Sequence, residues 1–337
     1  MQARMAKSNT NLPLVRLSTV NPFLLELDRR NVDTGALLRG MGLPGTVPAT
    51  DEVFVSALTI YQLIENTASV ANDSYLGFSI GQDLDLQAWG PIASAAAEAG
   101  TIGELLNRFI VNALDHASSA RYFLQTEGDR STFGFKRLIE PPFAPAQNDA
   151  FYLGFLSMKL MRATGEHWDP ASVLAKVADP DAIPPIVHPL RIVRGDHRGT
   201  RISFPTEWQF ETFEKSVFHA GSQSATASPI PESLIDSIHF ALSPHVHETN
   251  LTVERAAEIC GFSRRRLARD LRKRGTTLAK EIADLRARRA GKALVESDTR
   301  ILEIALSVGF LDPTVFSRAF KNWTGQSPQA YRKQHRS

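Results

Sequence analysis

Arginine side chains follow one another at helical spacing around residue 269 of the chain. If this segment is an α-helix, Arg265, Arg269 and Arg272 project from the face opposite the apolar pair Leu267 and Leu271. A guanidinium group can donate two hydrogen bonds to the O6 and N7 acceptors of guanine, and it also pairs with phosphate. The first chemistry that the sequence suggests is therefore the binding of a nucleic acid.

A second segment, around residue 318, repeats this arrangement. On a helix, Thr314, Arg318 and Lys321 project opposite Phe316 and Phe320. One basic face suits a solvated helix as well as DNA, but two basic faces in matching register favour DNA. We predict base contacts by Arg265, Arg269, Thr314 and Arg318, and backbone or flanking contacts by Ser263, Arg266, Arg272, Lys273, Pro313 and Lys321.

The two segments belong to an internal repeat. Residues 256–262 recur as residues 304–310, and residues 267–271 recur as residues 316–320. Each copy places a glycine and a phenylalanine between two helical stretches, as a tight turn between helices requires. Two helices joined by such a turn form a helix-turn-helix, which is a DNA-reading unit.

Capping residues predict where the second helix of each copy begins. Gly261 ends the first helix of the first copy, Phe262 is expected to enter the core, and Ser263 is a preferred N-cap. In the second copy Asp312 is the predicted N-cap, and Pro313 takes the first helical position, where its missing N–H costs nothing.

A predicted helix over residues 278–295 connects the two copies. Its length of ~27 Å approaches the ~34 Å between successive major grooves on one face of B-DNA. A connector of this length lets one chain read two adjacent grooves. Arg286, Arg288, Arg289 and Lys292 make this helix basic, and we interpret them as solvated or phosphate-facing.

Length and charge indicate two domains. The chain has 337 residues; residues 230–337 carry 19 Lys and Arg against 12 Asp and Glu, whereas residues 1–229 carry 19 against 24. A basic C-terminal third indicates a polyanionic partner. The alternative is that the charge difference reflects random variation of surface residues and has no function. We predict a disordered tail at 1–13, a ligand-sensing and dimerisation domain at 14–220, a linker at 221–231 and a DNA-binding domain at 232–337.

The N-terminal domain mixes helical and strand patterns, which predicts an α+β fold. Thr101 and Glu104 form a capping-box pattern that opens a helix through His116. Residues 121–126 and 131–138 flank a turn and are rich in strand-forming residues, which predicts a hairpin. Further helices are predicted at 21–39, 53–71 and 149–164, and further strands at 190–193 and 200–204. The C-terminal domain shows only helical patterns and is predicted to be all-α, with two helix-turn-helix subdomains joined by a linker helix.

From residue 251 to residue 333 the chain resembles the AraC/XylS family of bacterial transcription regulators. The segments that carry the resemblance are 304–310, 316–321 and 325–332. It implies two helix-turn-helix subdomains that bind DNA near promoters. The resemblance places base reading on Arg265, Ala268 and Arg269 in the first recognition helix and on Pro313, Thr314 and Arg318 in the second. Ala268 and Pro313 carry no side-chain donor, and this departure leaves direct readout to fewer side chains.

The N-terminal domain resembles the arabinose-binding-type sensor domain of the same family, through residues 75–81, 90–97 and 101–104. This resemblance implies the sensing of a small organic effector, whose identity and binding residues the sequence does not give. Trp89, Trp168 and Trp208 suit core packing or the wall of a ligand pocket.

Other chemistries find little support in the sequence. Cys260 is the single cysteine, which excludes an internal disulfide and a cysteine-based zinc cluster. His239, His245 and His247 lie near Glu248, but their spacing fits no strong metal motif. Because no nucleotide-binding or nucleophile motif is present, we predict no catalytic residues, no metal and no cofactor.

The sequence therefore predicts an effector-responsive transcription activator rather than an enzyme. Its expected partners are double-stranded promoter DNA, a small effector, RNA polymerase and a second copy of the chain, in the cytoplasm and away from membranes. One alternative is a regulator whose N-terminal domain only dimerises, without a ligand. The other is an enzyme with an appended DNA-binding module, such as a DNA-repair alkyl acceptor, which would need a reactive cysteine.

Overall fold

A computed structural model describes residues 12–47, 53–86, 89–185, 189–212, 230–231 and 233–336. The chain divides into two units, one of which spans Pro13–Ile230 while the other contains Pro231–Ser337. Most of the predicted linker and the predicted tail up to residue 11 lie outside the described residues. Leu12 and Pro13 differ from the predicted tail: Leu12 is buried, and the Pro13 carbonyl accepts a hydrogen bond from the Ala57 N–H at 3.0 Å.

Three of the seven α-helices described in the N-terminal unit begin at side-chain caps. Asp33, Ser56 and Thr101 each accept a hydrogen bond from a backbone N–H of the first turn that follows them. The helices are α1 (Asn21–Arg29), α2 (Thr34–Gly40), α3 (Ala57–Ala71), α4 (Leu76–Gln82), α5 (Gly90–Glu98), α6 (Ile102–His116) and α7 (Ala146–Thr164).

The strands of this unit form two sheets. Strands β1 (Leu14–Arg16) and β2 (Phe54–Ser56) pair with each other in antiparallel fashion. A second sheet contains the strands β3 (Ala120–Glu127), β4 (Arg130–Arg137), β5 (Leu174–Val177), β6 (Arg191–Arg194) and β7 (Gly199–Pro205). Their order in this five-stranded sheet is β3-β4-β7-β5-β6, in which only the neighbours β5 and β6 run parallel.

The predicted hairpin and the helix opened by Thr101 are confirmed, but two predicted helices are wrong in part. The helix expected over 21–39 is two helices, because Asn31 adopts a left-handed conformation (φ 58°) and Asp33 caps a new helix. The helix expected over 53–71 begins only after β2, at the Ser56 cap.

Helix α7 is the centre of the N-terminal core. It packs closely against α4 because glycines line the contact: a Cβ atom on Gly81 would lie 2.1 Å from the Phe151 carbonyl oxygen, and one on Gly154 would lie 2.2 Å from the Phe78 carbonyl oxygen. Any larger residue at either position would force the two backbones apart.

The first turn of α7 is capped from another helix. Pro145 precedes α7 and provides no side-chain cap, whereas Glu65 of α3 accepts a hydrogen bond from the Gln147 N–H at 2.9 Å. Burial raises the pKa of Glu65 to about 7. The folded chain therefore holds a proton on Glu65 at pH values where the unfolded chain has released it.

The Glu65→Gln variant should change how stability depends on pH. Because the pKa of Glu65 is raised in the folded state, the wild-type protein should lose stability as the pH rises from about 4.5 to above 7. Glutamine cannot ionise and still accepts the Gln147 hydrogen bond. At pH 8 the free energy of unfolding of the variant should exceed that of the wild type by about 2–3 kcal/mol, whereas near pH 4.5 the two proteins should be almost equally stable. Urea unfolding across this range measures the difference. The exposed Glu166→Gln variant is the control, and parallel pH profiles for wild type and Glu65→Gln would contradict the assignment.

The described part of the second unit, from residue 233 to residue 336, contains helices and no strands. It comprises α8 (Leu234–Leu242), α9 (Val253–Ile259), α10 (Arg264–Arg272), α11 (Leu278–Glu296), α12 (Ile301–Ser307), α13 (Pro313–Thr324) and α14 (Pro328–His335). The pairs α9–α10 and α12–α13 are the two helix-turn-helix subdomains, and α11 connects them. The predicted fold class, α+β followed by an all-α tandem helix-turn-helix, is confirmed.

Of the helices described, none is both long enough and apolar enough to cross a lipid bilayer.

Candidate nucleic-acid interface

The first subdomain turns at a left-handed glycine. Gly261 has a φ of 70°, so the chain reverses between α9 and α10 without steric strain. The Ser263 hydroxyl then accepts a hydrogen bond from the Arg266 N–H at 3.3 Å and caps α10. Arg264 at the start of α10 pairs with Glu254 of α9 at 2.5 Å, which ties the two helices together.

The second subdomain repeats this geometry. Gly309 has a φ of 82°, and Asp312 caps α13 by accepting a hydrogen bond from the Thr314 N–H at 2.6 Å. This hydrogen bond lowers the pKa of Asp312. Pro313 occupies the first helical position as predicted.

The inward faces of both recognition helices confirm the predicted apolar stripe. Leu267 and Leu271 of α10 are 1% and 0% exposed, and Phe316 and Phe320 of α13 are both 0% exposed. Phe262 differs from the prediction, since it is only half-buried; the Arg266 guanidinium carbon lies 3.9 Å from the centre of its ring and covers it.

The outward faces present the predicted side chains to solvent. Arg265, Arg269 and Arg272 are exposed on α10, and Thr314, Arg318 and Lys321 are exposed on α13, in equivalent positions. Within the described residues, no acidic side chain forms an ion pair with Arg265, Arg272, Lys273, Arg318 or Lys321. These charges are available to a polyanion, and their individual contacts with DNA stay a prediction.

One acidic residue stands among these arginines and was missed by the sequence reasoning. Asp270 has a side chain that is 13% exposed; its Oδ1 lies 3.2 Å from Arg269 Nε, and its Oδ2 lies 3.9 Å from Arg266 Nε. Asp270 therefore orients two of the predicted DNA-contacting arginines. The i, i+4 spacing of Arg266 and Asp270 was the signal for this pair.

The interpretation of the connecting helix as solvated or phosphate-facing is wrong for Arg286, which is half-buried, whereas Arg288 and Arg289 are exposed but also have partners within the unit. Arg286 donates to the Glu248 carbonyl at 2.9 Å, Arg289 donates to the Ser243 carbonyl at 3.1 Å, and Arg288 lies 2.5 Å from Nδ1 of His239. These arginines hold α11 to the segment that precedes the first subdomain. Lys292 is exposed and lies 3.9 Å from Glu296.

The histidines near α8 are engaged in structural pairs. His239 Nε2 lies 2.7 Å from Glu281, and His245 Nδ1 lies 2.6 Å from Glu248. Burial lowers the pKa of both imidazoles. Over the described ranges, no three His, Cys, Asp or Glu side chains come together in a way that could hold a metal ion.

Cys260 lies inside the first subdomain and is 1% exposed. Burial raises the pKa of its thiol to about 12, so the thiolate that nucleophilic or redox chemistry requires is rare at neutral pH. Its surroundings indicate core packing.

Arg286 of α11 contacts both the segment that precedes the first subdomain and the turn of the second subdomain. Besides its bond to Glu248, which precedes α9, its guanidinium carbon lies 5.4 Å from the centre of the Phe310 ring, in the turn of the second subdomain. Arg286 therefore links the second helix-turn-helix unit to the residues that lead into the first.

The Arg286→Met variant should loosen the required spacing between two DNA half-sites. Loss of the charged hydrogen bond should weaken DNA binding at the preferred spacing about ten-fold. Insertion of one base pair between the half-sites should then lower the affinity of the variant by a smaller factor than it lowers the affinity of the wild type. Gel-shift titrations on a series of spacer lengths measure both effects. Lys292→Met, an exposed position of the same helix, is the control. Identical spacing profiles for Arg286→Met and wild type would show that Arg286 does not set the distance.

Comparison with known proteins agrees with this organisation. Residues 256–334 match a family model described as a helix-turn-helix domain, and residues 32–184 match the model for the N-terminal arabinose-binding domain of the AraC transcription regulator. The ornithine utilization regulator of Pseudomonas aeruginosa is 41% identical over 81 residues, which are 24% of this chain and 24% of that protein. The bifunctional transcriptional activator and DNA repair enzyme AdaA of Bacillus subtilis is 36% identical over 84 residues, 25% of this chain and 40% of that protein.

Solved structures include similar chains. The DNA-binding domain of AdpA in complex with a target DNA is 28% identical, covers 30% of this chain and 91% of that chain, and has a TM-score of 0.27. The transcriptional regulator CdpR of Pseudomonas aeruginosa is 18% identical, with 94% of this chain and 98% of that chain covered and a TM-score of 0.37. The match to the ornithine utilization regulator spans 24% of that protein's length, and the match to AdaA spans 40% of its length. The chain thus carries, in this order, a region that matches the N-terminal domain model of the AraC transcription regulator and a region that matches a helix-turn-helix domain model, and in both it is similar to AraC-type regulators.

Proposed function

We propose that this chain is a sequence-specific DNA-binding transcription regulator that places α10 and α13 in two adjacent major grooves of promoter DNA. The observation that carries this proposal is the equivalence of the two exposed faces, Arg265, Arg269 and Arg272 on one helix and Thr314, Arg318 and Lys321 on the other. Each face lies opposite a fully buried apolar pair, so the helices are fixed by their cores and leave these side chains exposed on the opposite face.

The proposal extends to regulation by a small molecule. The N-terminal unit matches the model of an arabinose-binding domain and has its own core, which supports a response to an effector. We further propose that the chain is an activator that works as a homodimer with RNA polymerase in the cytoplasm. The alternative, an N-terminal domain that only dimerises, predicts the same DNA binding without any response to a metabolite.

An enzyme with an appended DNA-binding module is less well supported. AdaA shows that a helix-turn-helix region of this kind can belong to a DNA repair enzyme. Alkyl transfer to a protein needs an accessible and activated thiolate, whereas the single cysteine of this chain is buried with a raised pKa.

Chromatin immunoprecipitation with sequencing tests the DNA-binding proposal. The full chain should enrich a defined set of promoters, and footprinting on one of them should protect two adjacent major grooves on one face of the duplex. A footprint confined to one groove would contradict the placement of α10 and α13 in two adjacent major grooves. Enrichment without promoter preference would contradict sequence-specific regulation.

A second comparison separates the effector-responsive regulator from the dimerisation-only alternative. Reporter assays with and without candidate metabolites should show a response for the full chain and none for a 231–337 fragment. A response from neither protein across a broad metabolite set would favour the alternative, whereas the same response from both would contradict an effector site in the N-terminal unit.

A further inference from the structure

We propose that the N-terminal unit binds an uncharged, mostly apolar molecule with a single ring in a pocket beside the C-terminal half of α7. This proposal rests on the proposed effector response and names the chemistry of the effector. The pocket, called the α7 pocket below, lies between α7, the end of α4, the segment around Trp168 and the residues that lead into β6.

Volume distinguishes the α7 pocket from a second cavity described in this unit. The central cavity, which is surrounded by Trp89, Phe109 and Tyr152, has a volume of about 50 Å³. The α7 pocket has a volume of about 170 Å³. An engineered apolar protein cavity of about 150 Å³ is large enough to bind benzene. The α7 pocket therefore has room for one ring, whereas the central cavity holds no more than a few water molecules.

The lining of the α7 pocket determines the charge of its occupant. Met158 and Met161 of α7, Trp168 and Leu190 provide most of the wall, together with two proline rings, and none of the lining side chains is ionisable. A charged group would lose its hydration there without gaining an opposite charge, so the pocket selects against ions. The thioethers and the indole face favour an aromatic ring.

Trp168 is held in place by a second tryptophan. Its ring centre lies 5.2 Å from that of Trp208, which is 3% exposed. Met161, in contrast, is 38% exposed and forms part of the rim, where its flexible side chain can adjust to an occupant. The pocket thus combines a fixed aromatic wall with an adaptable entrance.

Two polar side chains give the pocket its hydrogen-bonding capacity. Ser157 donates to the Gly154 carbonyl at 3.2 Å within α7. Within the part of the chain that the structure describes, the amide of Gln82 makes no hydrogen bond, so its donor and its acceptor are both free. A ligand with one hydroxyl, amide or ring N–H would satisfy Gln82 while its ring contacts Trp168.

Probes with the same ring and different charge test this proposal. The full chain is titrated calorimetrically with benzyl alcohol, benzoate and benzylamine, and with indole as a larger neutral ring. Benzyl alcohol and indole should bind saturably at one site, and the two ions should bind at least about ten-fold more weakly. Equal binding of neutral and charged probes, or no saturable binding of any neutral probe, would overturn the proposal.

Variants locate the binding site. Ser157→Leu and Met161→Trp should each fill the α7 pocket and abolish binding, and Gln82→Leu should weaken binding of benzyl alcohol. If Ser157→Leu fails to fold, Met161→Trp decides, since its position is partly exposed. Ala113→Val, which narrows the central cavity, is the matched control and should leave binding unchanged. Loss of binding in Ala113→Val alone would place the ligand in the central cavity and overturn the assignment.

The same variants separate this proposal from the proposed function. Without a probe, Ser157→Leu and Met161→Trp should bind operator DNA as the wild type does. Normal operator binding with no probe binding in any protein would refute the pocket and leave the DNA-binding proposal intact. Probe binding to a chain that binds no operator would refute the proposed function instead.

Discussion

Replacing Arg269 with alanine should weaken binding to the specific operator by about 1–3 kcal/mol and relax the base preference at the position it reads. Arg269 lies at the centre of the exposed face of α10, 65% of its side chain is exposed, and Asp270 orients its guanidinium from below. Arg318, at the equivalent position of α13, has the same expected effect on the second half-site. Competition titrations of single-base operator variants measure affinity and preference together.

Lys273→Ala provides the matched control for this result. Lys273 is exposed just beyond the last turn of α10, and we predict that its ammonium group contacts phosphate rather than a base edge. Its loss should weaken operator and scrambled duplex alike and reduce the slope of affinity against salt by about 1. If Arg269→Ala left the specific affinity unchanged, the register assigned to α10 would be wrong.

The C-terminal unit could be predicted from its sequence because local signals determine its elements. The caps Ser263 and Asp312 and the left-handed Gly261 and Gly309 act within a few residues of the helices they begin or end. The repeat then fixed the register of the second copy from that of the first. Helical periodicity therefore identified both the buried and the exposed faces of the recognition helices correctly.

The contacts of the connecting helix could not be predicted from local sequence signals. Arg286, Arg288 and Arg289 have the sequence pattern of a solvated basic face, yet their partners are carbonyl groups and a histidine from α8 and from the residues between α8 and α9. Contacts between residues about 40–50 positions apart leave no periodic signal in the sequence.

The short strands of the N-terminal unit escaped prediction for a related reason. Strands β1 and β2 are three residues each and pair across some forty residues, with Leu14 opposite Ser56. Strand β5 has four residues and lies between β6 and β7, so its identity depends on its neighbours in the sheet rather than on its own composition. The long hairpin β3–β4, by contrast, has a two-residue turn at Gly128 and Asp129 and was predictable from local pattern.

Replacing Asp149 with alanine should lower the free energy of unfolding of the N-terminal unit by about 3–5 kcal/mol. Asp149 of α7 and Arg137 of β4 form an ion pair in which both side chains are 0% exposed, and the second carboxylate oxygen of Asp149 accepts a hydrogen bond from the Ala178 N–H at 2.8 Å. Without the carboxylate, the buried Arg137 keeps its charge, and the hydrogen-bond acceptors that the structure describes for it, Asn148 Oδ1 and the His197 carbonyl, are uncharged. The cost is a large share of the ~5–15 kcal/mol by which most domains are stable.

Urea unfolding of a Trp323→Phe background measures this loss, because the other three tryptophans of the chain, Trp89, Trp168 and Trp208, all report on the N-terminal unit. The exposed pair of Arg198 and Glu140, at 3.0 Å, provides the control: Glu140→Ala removes the same type of contact in water and should cost less than about 1 kcal/mol. Removing both buried charges, as Arg137→Met with Asp149→Leu, should restore much of the stability that Asp149→Ala loses. If Asp149→Ala and Glu140→Ala lowered the free energy of unfolding equally, burial of the Arg137–Asp149 pair would not determine how much that pair contributes to stability.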